Sequence, residues 1–438
     1  MTTPNRGSAP VANLAYRSYV LTVLVIVYAF NFIDRQIVGI LAIPIKADLK
    51  LSDTQLGMMG GLAFALFYTL LGIPIARLAD RVSRIRIMSI ALAVWSLMTA
   101  VCGLTTSFGQ LFLARLGVGV GEAGGVAPAY SLICDYFPPK QRARALSVYS
   151  FGIPIGSAVG IVAGAYLTRL VSWRLAFVVV GIAGVVLTPL LAMSVREPAR
   201  GGLDVLAAAN PADPAAPISR APPAPTLWQV CATLGRKRSF WGLSLGASFS
   251  SMMGYGLFFW LPSLFVRSFG MSLVEASLAF GSLLLIGGIS GIWLGGFAAD
   301  RYGQRNRSRY ALYPAIAFIA TVPFYFVGVL STNLWFCLVV SLVPTALGLA
   351  WLGPVLAAVQ QLVPSNMRAT ASALFLFINN LIGIGLGSML IGMLSDALHV
   401  RAGAESLRYA ILAGTSFYFV AAALFLYASK HLNAEWQE

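Results

Sequence analysis

Apolar residues fill this chain in long runs, separated by short polar stretches rich in arginine. A helix that crosses the hydrocarbon core of a bilayer needs about 20 predominantly apolar residues. Twelve runs meet that requirement: 18–45, 55–78, 87–106, 109–135, 143–168, 173–195, 239–266, 273–298, 309–330, 334–362, 369–396 and 406–429. The pattern predicts an all-α membrane protein of twelve transmembrane helices, six on either side of a polar break. The break, 196–238, holds Pro211, Pro214, Pro217, Pro222, Pro223 and Pro225 among alanines and reads as a flexible linker. Its end, Leu227 to Arg238, is a candidate for a short amphipathic helix on the membrane surface. The expected domains are therefore a six-helix bundle over 1–195, a linker over 196–238 and a second bundle over 239–438.

The polar loops repeat between the halves. Ala76-Arg77-Leu78-Ala79-Asp80-Arg81-Val82-Ser83-Arg84 is matched by Gly296-Phe297-Ala298-Ala299-Asp300-Arg301-Tyr302-Gly303-Gln304-Arg305. A second pair follows, around Lys140, Arg142 and Arg144 in one half and Arg368 in the other. Basic loop residues set membrane orientation. Of the 30 Lys and Arg residues, 21 fall on the side that carries both termini and the duplicated motifs, and seven on the other. Both termini are thus expected in the cytosol, in a bacterial inner membrane. Halves related by repetition that rock around a central site are the architecture of secondary transporters.

Composition narrows the function further. The chain is 58% hydrophobic and 10% charged, against about 25% charged in a soluble domain. A net charge of +15 would point to nucleic acid in a soluble protein, but here the basic residues sit in loops and hold topology, so no nucleic-acid partner is expected. Cys102, Cys134, Cys231 and Cys337 are isolated, with neither metal spacing nor a disulfide framework. The first apolar run continues too far for the core of a cleavable signal peptide. Gly119-Val-Gly121-Glu-Ala-Gly124 fits a dinucleotide fingerprint, which must follow a strand and open a helix. It lies inside an apolar span, so nucleotide binding is set aside. No nucleophile–base set or metal cluster appears, and an enzyme is not expected.

Only four charged residues fall well within spans: Asp34 and Arg35 in the first, Arg115 and Glu122 in the fourth. Charges in lipid are costly and usually face a partner or a watery cavity, and these four sum to zero. Asp34 lies about 22 Å from the cytoplasmic end of its helix at 1.5 Å per residue. Arg115 comes out at a similar level, with Glu122 two turns deeper on the same face. The depths leave open which carboxylate pairs with which arginine. Low dielectric favours a neutral carboxyl and a neighbouring arginine opposes it. That opposition makes Glu122 the first candidate for a proton switch and Asp34 the second, with Arg35 and Arg115 as tuning or phosphate-binding partners. Gly117, Gly121 and Gly125 recur every four residues, a spacing that lets membrane helices approach closely.

The duplicated loop resembles the major facilitator superfamily signature G-x-x-x-D-R-x-G-R, and the resemblance extends over essentially the whole chain. The first copy departs from it with Ala76 and Ser83 at the glycine positions. Arg115-Leu-Gly-Val-Gly119-Val-Gly-Glu122-Ala123 is similar to the family's fourth-helix pattern. The resemblance implies a cytoplasmic gate of Asp80, Arg81, Arg84, Asp300, Arg301, Arg142 and Arg368, with the aspartate also favoured at a helix N-terminus. Three stretches resemble the Spinster-type branch, whose members are associated with sphingolipids and lysophospholipids: Asn31-Phe-Ile-Asp34-Arg35, Leu51 through Phe64, and Gly121-Glu122-Ala123. They imply roles for Asn31, Asp34, Arg35, Arg115 and Glu122. An apolar cavity wall is expected from Phe64, Tyr255, Phe259 and Trp351, with Asn379 and Asn380 as its amides. The expected protein is a monomeric, proton-coupled carrier of lipid-like amphiphiles, needing no cofactor beyond the proton and surrounded by membrane lipid. A drug or organic-anion transporter is the alternative, and a non-transporting membrane sensor the reading from another class.

Overall fold

The computed structural model describes residues 13–79, 81–198, 226–298, 301, 306–364 and 367–437. Among them helices joined by short turns make up the chain, with no strand. The first half contains α1 (Leu14–Ile40), α2 (Ala42–Leu49), α3 (Asp53–Gly60), α4 (Leu62–Ala79), α5 (Arg84–Cys102), α6 (Phe108–Glu122), α7 (Val126–Tyr136), α8 (Pro139–Ser150), α9 (Gly152–Leu170) and α10 (Trp173–Ser194). After α11 (Leu227–Gly235), the second half contains α12 (Arg238–Phe269), α13 (Leu273–Leu283), α14 (Ile289–Ala298), α15 (Arg309–Leu330), α16 (Leu334–Leu349), α17 (Leu352–Gln360), α18 (Arg368–Ala402), α19 (Ser406–Gly414) and α20 (Ser416–Glu435). Among the described residues ten stretches are long and apolar enough to cross a membrane, and the last, Thr370–Glu435, contains two of the expected spans. The remaining expected span is the fourth, which gives twelve.

The fourth span departs from its expected continuous run of 109–135. It breaks at 123–125, between α6 and α7, where Ala123-Gly124-Gly125 follows a helix already rich in glycine. Successive glycines weaken a helix interior, and the break makes Glu122 the last residue of α6. Starts are fixed by local chemistry. Ser52 and Gln55 form a reciprocal capping box at α3, and Thr226 and Gln229 do the same at α11. Between α2 and α3, Lys50 turns the chain with a φ of 53°. The short helix expected near 227–238 forms as α11, burying Val230 and Leu234 while Trp228 stays exposed. Most of the expected linker lies outside the described residues.

Packing divides the chain into two compact units that do not coincide with the expected halves. One contains the described residues of Met1–Arg35, Phe67–Gly160 and Arg174–Arg220; the other contains Gln36–Leu66, Ile161–Trp173 and the described residues of Ala221–Glu438. The first is centred on buried Trp95, Tyr136, Tyr149 and Phe177. The second is centred on Trp260, Phe240, Phe265 and Phe318, with Phe318 stacked on Tyr418 at 5.3 Å between ring centroids.

The reason Gln36–Leu66 leaves its own half is visible at Gly57. A Cβ there would lie 2.3 Å from the carbonyl oxygen of Ser388 and 2.7 Å from Cα of Met389, so α3 and α18 touch backbone to backbone. Lipid supplies no hydrophobic force between helices, and such close approach is what holds them. Gly57→Ala forces these backbones apart and is expected to lower stability by about 1–3 kcal/mol, read as a drop in thermal unfolding temperature in detergent. Gly72→Ala, where a Cβ meets nothing within 4 Å, should leave that temperature unchanged.

Candidate functional site

The four intramembrane charges lie together in the first unit, on α1 and α6 against α5. Their positions follow from close helix contact. A Cβ on Gly121 would lie 2.5 Å from the backbone nitrogen of Trp95, and one on Gly117 would lie 2.7 Å from the Met98 side chain. The four-residue glycine spacing thus seats α6 on α5 and fixes Arg115 and Glu122 relative to Thr99. On the other side of α1, Gly156 and Gly160 let α9 approach the backbones of Ala29 and Ile33.

The pairing that depth left open is explicit here. Arg115 Nη1 donates to Asp34 Oδ2 at 3.1 Å, and Arg35 Nε donates to Glu122 Oε2 at 2.8 Å. Thr99 Oγ1 donates to Asp34 Oδ1 at 2.6 Å, so both oxygens of Asp34 are engaged. Glu122 is held by one oxygen only; its Oε1 has no hydrogen-bond partner among the described residues. Asn31, one helical turn before Arg35, is 2% exposed, and neither atom of its amide has a partner there. Arg35 lies over the rings of Phe32 and Tyr68, 5.1 and 4.7 Å from their centroids. Tyr28 and Tyr149 stack nearby at 4.3 Å, with Tyr130 edge-on to Tyr149 at 5.6 Å.

The two pairs are not equivalent. Arg115 and Asp34 are sealed, with side chains 1% and 2% exposed, whereas Arg35 retains 11% exposure against a fully buried Glu122. Removing one partner of a sealed ion pair strands a charge and costs about 3–5 kcal/mol. The Asp34–Arg115 pair is thus the sealed one, whereas Glu122 keeps one oxygen, and Asn31 both atoms of its amide, without a hydrogen-bond partner among the described residues. Among the described residues no group of three or more His, Cys, Asp or Glu is placed to hold a metal ion.

The expected gate residues divide. Asp80 and Asp300 lie outside the described residues, as does the side chain of Arg142. Arg81 and Arg301 are exposed, and Arg368 donates to Gln361 Oε1 at 2.9 Å. Arg84 is fully buried and anchors a clamp that sequence reading missed. It bonds Asp135, Ser131 at 2.7 Å and Glu197 Oε1 at 2.7 Å. Glu197 also accepts from Ser83 Oγ at 2.9 Å and from the Ile85 amide at 3.1 Å, and so caps α5. Glu197 is thus a carboxylate at a helix N-terminus, the role expected of Asp80. Burial pushes its carboxyl up, but the bonds from Arg84, Ile85 and Ser83 outweigh that and hold it below the ordinary range.

The expected cavity-wall residues all belong to the second unit. Phe64, Phe259 and Trp351 are buried, and Trp351 meets Phe375 with ring centroids 6.3 Å apart. Tyr255 is half-buried, edge-on to Phe258 at 6.3 Å. Asn379 accepts from Ser251 Oγ at 2.9 Å and donates to Asn380 Oδ1 at 3.4 Å. Sequence reading also missed Thr99, whose hydroxyl falls on α5 one span away from the charges it serves.

The chain matches the family model for the Major Facilitator Superfamily over residues 24–388. It is 35% identical to an MFS-type efflux pump of Mycolicibacterium smegmatis over 393 residues, covering 89% of this chain and 87% of that protein. With the human protein spinster homolog 1 it shares 28% identity over 401 residues, covering 86% of this chain and 73% of that protein. A crystal structure of a bacterial homolog of the human lysosomal transporter Spinster, inward-facing and unoccupied, superposes with a TM-score of 0.87 at 32% identity, covering 98% of this chain and all of that one. The occupied inward-facing form gives 0.84 at the same identity and coverage.

Two outcomes test the site's framework. Arg115→Met should destabilise the protein by about 3–5 kcal/mol, and adding Asp34→Asn should recover most of the loss, as read by thermal or denaturant unfolding. Because the Glu197 carboxyl titrates lower when folded than when unfolded, its stabilisation is complete above its unfolded value and is lost as pH falls through the folded one. Glu197→Gln is therefore expected to remove part of the stability loss between neutral and acidic pH, measured as the shift in unfolding temperature.

Proposed function

The chain belongs to the major facilitator superfamily as a Spinster-like transporter, and from that premise we propose that it carries lysophospholipid- or sphingolipid-like amphiphiles by alternating access coupled to protons. The observation that carries this reading is the asymmetry of the two buried ion pairs. Glu122 has one oxygen on Arg35 and one without a partner among the described residues, while both oxygens of Asp34 are engaged. An anionic headgroup that binds Arg35 competes with Glu122 for the guanidinium. Once that bond is lost, Glu122 is a buried carboxylate with nothing to balance it, and taking a proton relieves the cost. Substrate and proton are thereby linked through Arg35. Asp34 is the second proton candidate, restrained by Thr99 and Arg115.

Asn31 adds neutral polar recognition beside Arg35, since both of its amide atoms are available to a headgroup. Phe64, Tyr255, Phe259 and Trp351, with Asn379 and Asn380 among them, give the chain the kind of apolar surface that an acyl chain needs. The resemblance to Spinster-type carriers and the scarcity of charge in the second half support an amphiphile over a sugar. The excess of basic residues in the loops that join the termini supports cytoplasmic termini in a bacterial inner membrane. The protein is read as a monomer, with the proton as coupling ion and no cofactor. The relative described as an efflux pump favours a second reading, export of a drug or organic anion through the same arginines.

The test is uptake of lysophospholipid by proteoliposomes of purified protein, with and without an imposed pH gradient. Gradient-dependent flux is expected in the parent. In Glu122→Gln, which should remain folded by size-exclusion chromatography, flux should fall to the level seen without a gradient. Retained gradient dependence in Glu122→Gln would sink the proton assignment. Inhibition by small organic anions that lack an acyl chain, with no lysolipid flux, would favour the efflux reading.

A further inference from the structure

The stretch Leu51 through Phe64, the longest of the Spinster-like segments, takes no part in the chemistry around Glu122. It carries a second charge cluster of its own. Asp53, the first residue of α3, is 3% exposed. Arg267, near the end of α12, grips it with both terminal nitrogens, each bond 2.8 Å long. Lys46 donates to Asp53 Oδ1 at 2.6 Å, and Ser395 of α18 donates to Oδ2 at 2.8 Å. Asp396, the next residue on α18, accepts from the amides of Asp53 and Thr54 at 3.1 and 2.8 Å and from Thr54 Oγ1 at 2.5 Å. It fills the orphan donors at the N-terminus of α3, where a carboxylate is also favoured by the helix dipole. Two acids and two bases make the cluster neutral. Just below it, Ser388 Oγ donates to the Gly57 carbonyl at 2.8 Å and Trp260 Nε1 to the Ser388 carbonyl at 2.8 Å.

In chain order Lys46, Asp53 and Thr54 belong to the first six spans, and Arg267, Ser395 and Asp396 to the last six. All of them lie in one compact unit. A carrier whose halves rock must part them. The exposures make that feasible: Lys46 and Arg267 keep 35% and 20% of their side-chain surface, so water and salt can replace their bonds. The sealed Asp34–Arg115 pair has no such route.

We propose that Asp53, Arg267, Lys46 and Asp396 form a latch that shuts the transport path on the side opposite the basic loops and parts once in each cycle. The proposal rests on the alternating-access reading above, and it gives Asp53 and Asp396 a gating role separate from substrate and proton binding. It is distinct from the duplicated-loop motifs, which lie at the other ends of the spans.

The first test needs no substrate, so its outcome is independent of the lipid reading. Ser395 is fully buried beneath the latch. In right-side-out membrane vesicles containing the full chain, with Cys102, Cys134, Cys231 and Cys337 replaced by serine, Ser395→Cys is exposed to a membrane-impermeant maleimide. Slow modification is expected, accelerated about tenfold or more by Asp53→Asn, since breaking a buried pair readily exceeds the 1.4 kcal/mol that this factor represents. A rate unchanged by Asp53→Asn would overturn the latch. The second test pairs Thr54→Cys with Asp396→Cys. An oxidised link is expected to stop gradient-driven flux of lysophospholipid and a reductant to restore it, the recovery showing that the linked protein is folded. Full flux with the link in place would show that these segments never separate. Absence of flux in the unlinked parent would count against the lipid reading and leave the maleimide result to decide the latch.

Discussion

Four charges buried in a chain solvated by hydrocarbon have to neutralise one another, and the arrangement of α1, α5 and α6 serves that requirement. Asp34 and Arg35 are adjacent on α1, so their side chains diverge around the helix and cannot share a partner easily. Each takes the opposite charge from α6, seven residues apart on one face. Thr99 of α5 completes the coordination of Asp34 but offers nothing to Glu122. Chemical asymmetry within an electrically balanced quartet follows from this placement of a single hydroxyl.

Close backbone contact is the second requirement, because attraction between apolar side chains is worth little when the solvent is itself apolar. The same device appears in both units: glycines on α6 meet α5, and glycines on α3 meet α18. In each case a charged or polar group lies within a turn or two of the contact. Small residues bring the helices together, and polar groups specify the register in which they meet.

Much of this was legible in the sequence. Long apolar runs gave the spans, loop arginines gave the paired motifs, and rarity alone marked Asp34, Arg35, Arg115 and Glu122. What the sequence withheld has physical causes. The pairing of these charges was hidden because an error of three residues in a helix boundary moves a side chain by about 5 Å along the helix, more than the length of the ion pairs it would have to decide. The break at 123–125 was hidden because glycine and alanine are apolar enough to pass for span. Asp53, Asp396 and Glu197 sat at the edges of spans, where a charge is unremarkable, and only the fold brings them to Arg267, to the N-terminus of α3 and to Arg84. The regrouping of Gln36–Leu66 likewise depends on contacts between residues some 330 positions apart, such as Ser388 with Gly57, which no local pattern encodes.

The seating of Gly121 on Trp95 bears on how such a protein can be redesigned. The atom that a new Cβ would strike is a backbone nitrogen, so trimming the Trp95 side chain gives no relief, and no compensating substitution on α5 makes room. The α5–α6 contact is therefore a fixed point in sequence space, and the geometry of Glu122 is inherited with it. Ring pairs of the second unit such as Trp351 and Phe375 meet through side chains and are the more open to exchange by volume. A redesign that must keep the Glu122 geometry has no freedom at Gly121, whereas Gly109 of the same helix, where a Cβ meets nothing within 4 Å, is open to change.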